Sequence, residues 1–133
     1  MSALAYGFGI ATDLSMEEAD QRLREALAGE GFGILTEIDV AATLKAKLGV
    51  EWPPYRILGA CNPHLAHQAL VAEQSVGLLL PCNVVLRRNG DVTIVEVLEP
   101  AMMAEVTANP ALEPIAIEAR LRLQRALEAF STT

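Results

Sequence analysis

Both cysteines and both histidines of this chain fall between Tyr55 and Gly90, and each cysteine is followed by an asparagine. Cys61 stands directly before Asn62-Pro63, a strong helix start: asparagine caps the first turn, and proline at the first helical position loses nothing by lacking its N–H. A thiol at a helix N-terminus faces free N–H groups and the positive end of the helix dipole. Both stabilise a thiolate and lower its pKa, so Cys61 is a candidate nucleophile or redox centre. The competing reading is a small apolar residue filling a strand-to-helix corner. Cys82 could partner it in a redox pair. Neither cysteine has the Cys-x-x-Cys neighbour that makes a redox motif specific, and Cys82 shares its strand face with Val84 and Leu86, as a core residue would.

His64 and His67 are three residues apart and offer two imidazoles from one helical face. With Cys61, and Cys82 as a fourth ligand, they could hold a transition metal. The alternative is a pair of surface histidines covering the helix. Asn83 is a polar residue inside the apolar run Leu78–Leu86. It either satisfies backbone opened by a bulge at Pro81, or lines a small polar pocket with Glu96 and Tyr55. The candidate ligand-binding set is therefore Tyr55, Cys61, Asn62, Cys82, Asn83 and Glu96. No catalytic residue is assigned: Glu37, Glu96 and Glu99 are too scattered for a paired-carboxylate mechanism. The chain has no phosphate loop, nucleophile elbow or His-Glu-x-x-His motif, and no cofactor is expected. Whether the protein is an enzyme stays open.

The elements that must position these residues follow from periodicity. Residues 4–11 alternate, with Leu4, Tyr6, Phe8 and Ile10 on one side, as a first strand would. Ser15-Met-Glu-Glu18 is a capping-box pattern. It opens a helix with Ala19, Leu23, Ala26 and Leu27 inward, ended by Gly29 and Gly31. Phe32, Ile34, Thr36 and Ile38 make a second strand on one face; Asp39 caps a short helix closed by Gly49. Tyr55, Ile57 and Cys61 share one face of the next strand, with Arg56, Leu58 and Ala60 on the other. The helix after Asn62 carries Leu65, Ala66, Ala69 and Leu70 inward and reaches Glu73. Val76 to Arg88 is expected as one long strand, turning at Asn89-Gly90. Counting back from that loop pairs Arg88 with Asp91 and places Asn83 opposite Glu96. A short helix opens at Pro100, and a long one runs from Glu113 to Phe130 with Ile115, Ala119, Leu123, Ala126, Leu127 and Phe130 as its stripe. Met102 and Met103 are expected as core or interface filler.

At 133 residues the chain is the size of one domain, residues 1–133, with no linker composition inside it. Ten Lys and Arg against 17 Asp and Glu give a net charge of −7. That charge repels a phosphate backbone, so no nucleic-acid partner is expected. No apolar run approaches the ~18 residues of a membrane span. The N-terminus lacks a basic segment followed by an apolar one, so the expected location is cytoplasmic, with both thiols reduced. An apolar fraction of 52% on a small acidic chain points to apolar surface covered by a second subunit.

Three motifs, Tyr55-x-Ile-Leu-Gly-Ala-Cys-Asn-Pro63, Ala69-Leu70 and Gly77-Leu-Leu-Leu-Pro-Cys-Asn-Val84, resemble the uncharacterised bacterial and archaeal domain-of-unknown-function family 302. Pro100 with Met102 and Met103 fits that family's later Asp-Pro and methionine segment, with Glu99 where aspartate is usual. The resemblance covers nearly the whole chain. It implies a compact α+β fold of the TBP-like type, usually a homodimer, and brings no established reaction or ligand. The expected architecture is an α+β, two-layer domain: a largely antiparallel sheet with helices on one face. The leading functional expectation is a homodimeric module binding an unknown small molecule or protein partner near Cys61-Asn62-Pro63 and Pro81-Cys82-Asn83. Thiol chemistry at Cys61 is the alternative, and a metal site with Cys61, His64, His67 and Cys82 ranks third.

Overall fold

A computed structural model describes residues 1–132. Six antiparallel strands form one sheet: β1 (Ser2–Leu4), β2 (Gly7–Thr12), β3 (Gly33–Asp39), β4 (Tyr55–Cys61), β5 (Cys82–Asn89) and β6 (Val92–Leu98), in the order β1-β2-β6-β5-β4-β3. Five helices accompany them: α1 (Met16–Gly29), α2 (Val40–Leu48), α3 (Pro63–Ala72), α4 (Ala101–Thr107) and α5 (Glu113–Ser131). The architecture is the α+β arrangement that the patterning predicts.

The core is one layer of strands against α1 and α5. Along β6 burial alternates, with Thr93, Val95 and Val97 buried and their neighbours only half-buried. Phe8, Leu58, Ala60, Val84 and Leu86 share that covered face and meet Leu23, Leu27, Leu123, Leu127 and Phe130 from the helices. A smaller apolar cluster gathers Ala69, Val76 and Leu112, with Leu80, Met103 and Ile115 packed against it.

Local signals place the helix ends as read from sequence. Ser15 Oγ accepts from Glu18 N at 3.2 Å, Asp39 Oδ1 from Ala42 N at 2.9 Å, and Asn62 Oδ1 from Leu65 N at 3.2 Å.

Four expectations change. Residues 4–11 are not one strand: the chain turns at Ala5-Tyr6, β1 pairs back on β2, and Leu4 and Tyr6 are exposed. A register shift between Ile34 and Thr36 moves Thr36 and Ile38 to the face opposite Ile34, where Ile38 pairs with Ile57 and is 50% exposed. The expected long strand from Val76 is broken. Gln74–Leu79 is a 3-10 helix, Leu80-Pro81 is a cis peptide, and pairing begins only at Cys82, after the proline that cannot donate to a ladder. Finally, the hairpin loop is Gly90-Asp91 rather than Asn89-Gly90. Gly90 takes φ 62 at the first central position, which a glycine-led two-residue turn requires. Asn89 therefore pairs with Val92 and every partner slides by two residues, leaving each side chain on its expected face.

Candidate ligand-binding site

Strands β4 and β5 end side by side, with Ala60 directly opposite Cys82. Cys61 is the next residue on β4, so both thiols belong to neighbouring strand ends at one corner of the sheet. There the seam between the two apolar clusters leaves a cavity of about 300 Å³. Its floor is Ala60, Cys61 and Cys82. Leu65, Ala66 and Ala69 from α3 form one wall, Met103 and Ala119 another, and Leu80-Pro81 the rim. The cavity exists because small side chains meet there: Ala60, Ala66, Ala69 and Ala119 cannot span the gap that larger residues would fill. A second apolar cavity of about 320 Å³ lies across the same Leu80-Pro81-Cys82 segment and shares Cys82 and Met103 with the first.

Asn62 is buried and fully engaged. Its Oδ1 caps α3, and its Nδ2 donates to the Glu30 carbonyl at 3.4 Å, tying the end of α1 to the start of α3. Arg122 Nη1 donates to the same carbonyl at 3.2 Å, bringing α5 into the clamp. Asn62 borders the cavity with both of its polar atoms already hydrogen-bonded to the protein.

The other sequence candidates lie apart. Asn83 is exposed opposite Gly59 and borders the second apolar cavity. Glu96 sits opposite Val85, and its Oε1 accepts from Arg87 Nε at 2.9 Å. Tyr55 faces Arg87 across the ladder and borders a polar cleft with Arg56, Arg88 and Asp39. The structure does not gather Tyr55, Asn83 and Glu96 into one pocket. His64 and His67 are exposed on α3, and no group of three or more His, Cys, Asp or Glu side chains among the described residues could hold a metal ion. What the sequence reading missed is the cavity wall itself. Ala66 and Ala69 read there as plain core-facing positions, and Met103 as filler.

Both thiols are free and half-buried. Burial pushes the Cys82 thiol up to about 11, and the neighbouring Cys61 adds to the shift. A buried thiol without a cation beside it resists ionisation, the opposite of what a nucleophile or attacking redox thiol needs.

The model for the family described as domain of unknown function DUF302 matches residues 8–130. The chain belongs to this family. A crystal structure of an uncharacterized conserved DUF302 protein from Bacillus stearothermophilus has the same fold, with a TM-score of 0.88 at 31% identity, over 95% of this chain and 98% of that one. No curated protein matches the chain. Membership of the DUF302 family thus fixes the fold and assigns no specific function. No helix among the described residues is long and apolar enough to cross a membrane.

Proposed function

We propose that this protein is a binding module for a small, uncharged, apolar molecule held in the cavity at the Cys61 and Cys82 corner. The observation that carries this reading is the chemistry of the wall. No Lys, Arg, His, Asp or Glu lines the cavity, and its one amide side chain is committed elsewhere. A volume of about 300 Å³ lies at the small end of ligand pockets, and a dry apolar cavity takes apolar guests. A carboxylate ligand would find no cation there, and the chain's net charge of −7 discourages anions further.

The test is titration with a neutral fluorescent apolar probe such as N-phenyl-1-naphthylamine. The probe is expected to saturate at one per chain and to be displaced by octanol but not by octanoate. Ala66→Phe, which fills the cavity, should weaken binding at least about tenfold, or about 1.4 kcal/mol, with the far-UV spectrum unchanged. Binding that never saturates, or that ignores Ala66→Phe, would sink the reading.

The module works as a homodimer in the cytoplasm. Supporting a second copy is the sheet face opposite α1 and α5, where Ile57, Val85 and Ile94 are half-buried and Ile38 is half-exposed. The Arg87–Glu96 pair lies on that face as well. Light scattering should give twice the 14.3 kDa of one chain. Val85→Lys, at the centre of that face, should give the monomer; a wild-type monomer at micromolar concentration would refute the dimer.

A further inference from the structure

We propose that Cys61, Cys82 and Met103 form a site for one soft monovalent metal ion of the Cu(I) type, set in the wall of the apolar cavity. This goes beyond an organic guest in that cavity, and either can stand without the other. Three elements deliver the sulfurs: Cys61 from the end of β4, Cys82 from the start of β5, and Met103 from α4. All three residues line the same space, and Cys82 and Met103 also line the second cavity across Leu80-Pro81. Cys82 and Met103 therefore stand between the two apolar cavities and Cys61 borders the first, all three half-buried and reachable without unfolding.

The selectivity follows from what the wall lacks. No imidazole or carboxylate faces the cavity, and the Asn62 amide is spent on Leu65 N and the Glu30 carbonyl. A structural zinc ion asks for four nitrogen or sulfur ligands, which the site does not supply. Soft thiolate and thioether sulfurs select Cu(I), an ion content with two or three of them. Binding converts two thiols to thiolates and releases two protons, while Met103 lends a lone pair with no proton change. No electron is transferred. The complex carries one negative charge, and the N-terminus of the ten-residue helix α3, which begins two residues after Cys61, presents partial positive charge to it.

The experiment is an anaerobic titration of reduced protein with Cu(I) against the chromophoric chelator bicinchoninate, with zinc run in parallel. One Cu(I) per chain should be withheld from the chelator, and zinc should not bind. Cys61→Ser and Cys82→Ser should each weaken Cu(I) by about 100-fold or more, and Met103→Leu by about tenfold. His64→Ala with His67→Ala should change nothing. If a cysteine variant does not fold, the Met103→Leu titration decides, because leucine keeps the volume and removes only the sulfur. Copper surrendered in full to the chelator overturns the site, as does binding that survives Met103→Leu unchanged. Neither result touches the binding of the neutral probe.

Discussion

Replacing Asn62 by alanine is expected to destabilise the protein by about 2–3 kcal/mol, with no ligand present. Loss of the cap on α3 accounts for about 1 kcal/mol. The rest comes from the Nδ2 bond to the Glu30 carbonyl and from the gap left in a buried corner. That corner has little freedom to close. Gly31 is held at φ +84, and a Cβ there would come within 2.8 Å of Asn62 Nδ2, so the end of α1 is already packed against this amide. Arg122 Nη1 keeps one bond to the Glu30 carbonyl, and Arg125 Nε donates to Glu30 Oε1 at 2.9 Å, which limits the damage to the α1–α5 contact.

Asn62→Asp separates the two contributions. Aspartate caps a helix as well as asparagine does, yet it cannot donate to Glu30. It should lose only about 1 kcal/mol, the worth of one hydrogen bond. Urea unfolding of the three proteins measures the series. Equal losses for alanine and aspartate would place the whole effect in the bond to Glu30; no loss in either would remove the clamp. An Asn62 whose removal affected ligand binding alone would return it to the binding set.

What the sequence reveals about this protein divides along a physical line. Asn62-Pro63, Ser15-x-x-Glu18 and Asp39 carry their whole explanation within a few residues, so the helix starts they mark stand in the structure as read. The alternation in Tyr55–Cys61 likewise groups Leu58 with Ala60 on one face, and that face is the covered one. Val76–Arg88 fails for the opposite reason. An apolar run carries no periodicity that separates a strand from a 3-10 turn, and the break at Leu80-Pro81 is fixed by packing of Val76 and Leu80 against α3, α4 and α5. The shift after Ile34 is equally invisible: one unpaired residue reverses every later face, and nothing local announces it.

The candidate site is legible only in its outline. The motifs around Cys61 and Cys82 do converge, because β4 and β5 are neighbours with Ala60 opposite Cys82. The space between them is not written in any segment. It results from four alanines on three elements meeting at one seam, and each alanine alone reads as ordinary core. Asn83 and Glu96 part company for a similar reason, since a two-residue slide in the hairpin leaves both on the right face and at the wrong distance.

Cys82 gives the protein an alkaline weakness with a definite window. Its thiol is raised from 9.0 to about 11, chiefly by burial and further by Cys61. Below pH 9 the thiol is protonated in both folded and unfolded chains, so its full contribution to stability is present. Between pH 9 and 11 the unfolded chain ionises while the folded one holds its proton, and stability falls by about 1.4 kcal/mol per pH unit. The loss totals about 2–3 kcal/mol once pH reaches the folded-state value, and it flattens above it. The informative quantity is the difference from Cys82→Ala. Urea unfolding under reducing conditions at pH 7.5, 9, 10 and 11 should show the wild type losing about 2 kcal/mol more than the variant, all of it above pH 9. Parallel curves would mean that Cys82 ionises freely in the fold. Such a thiol would be solvated, and the apolar cavity at this corner would then be open to water.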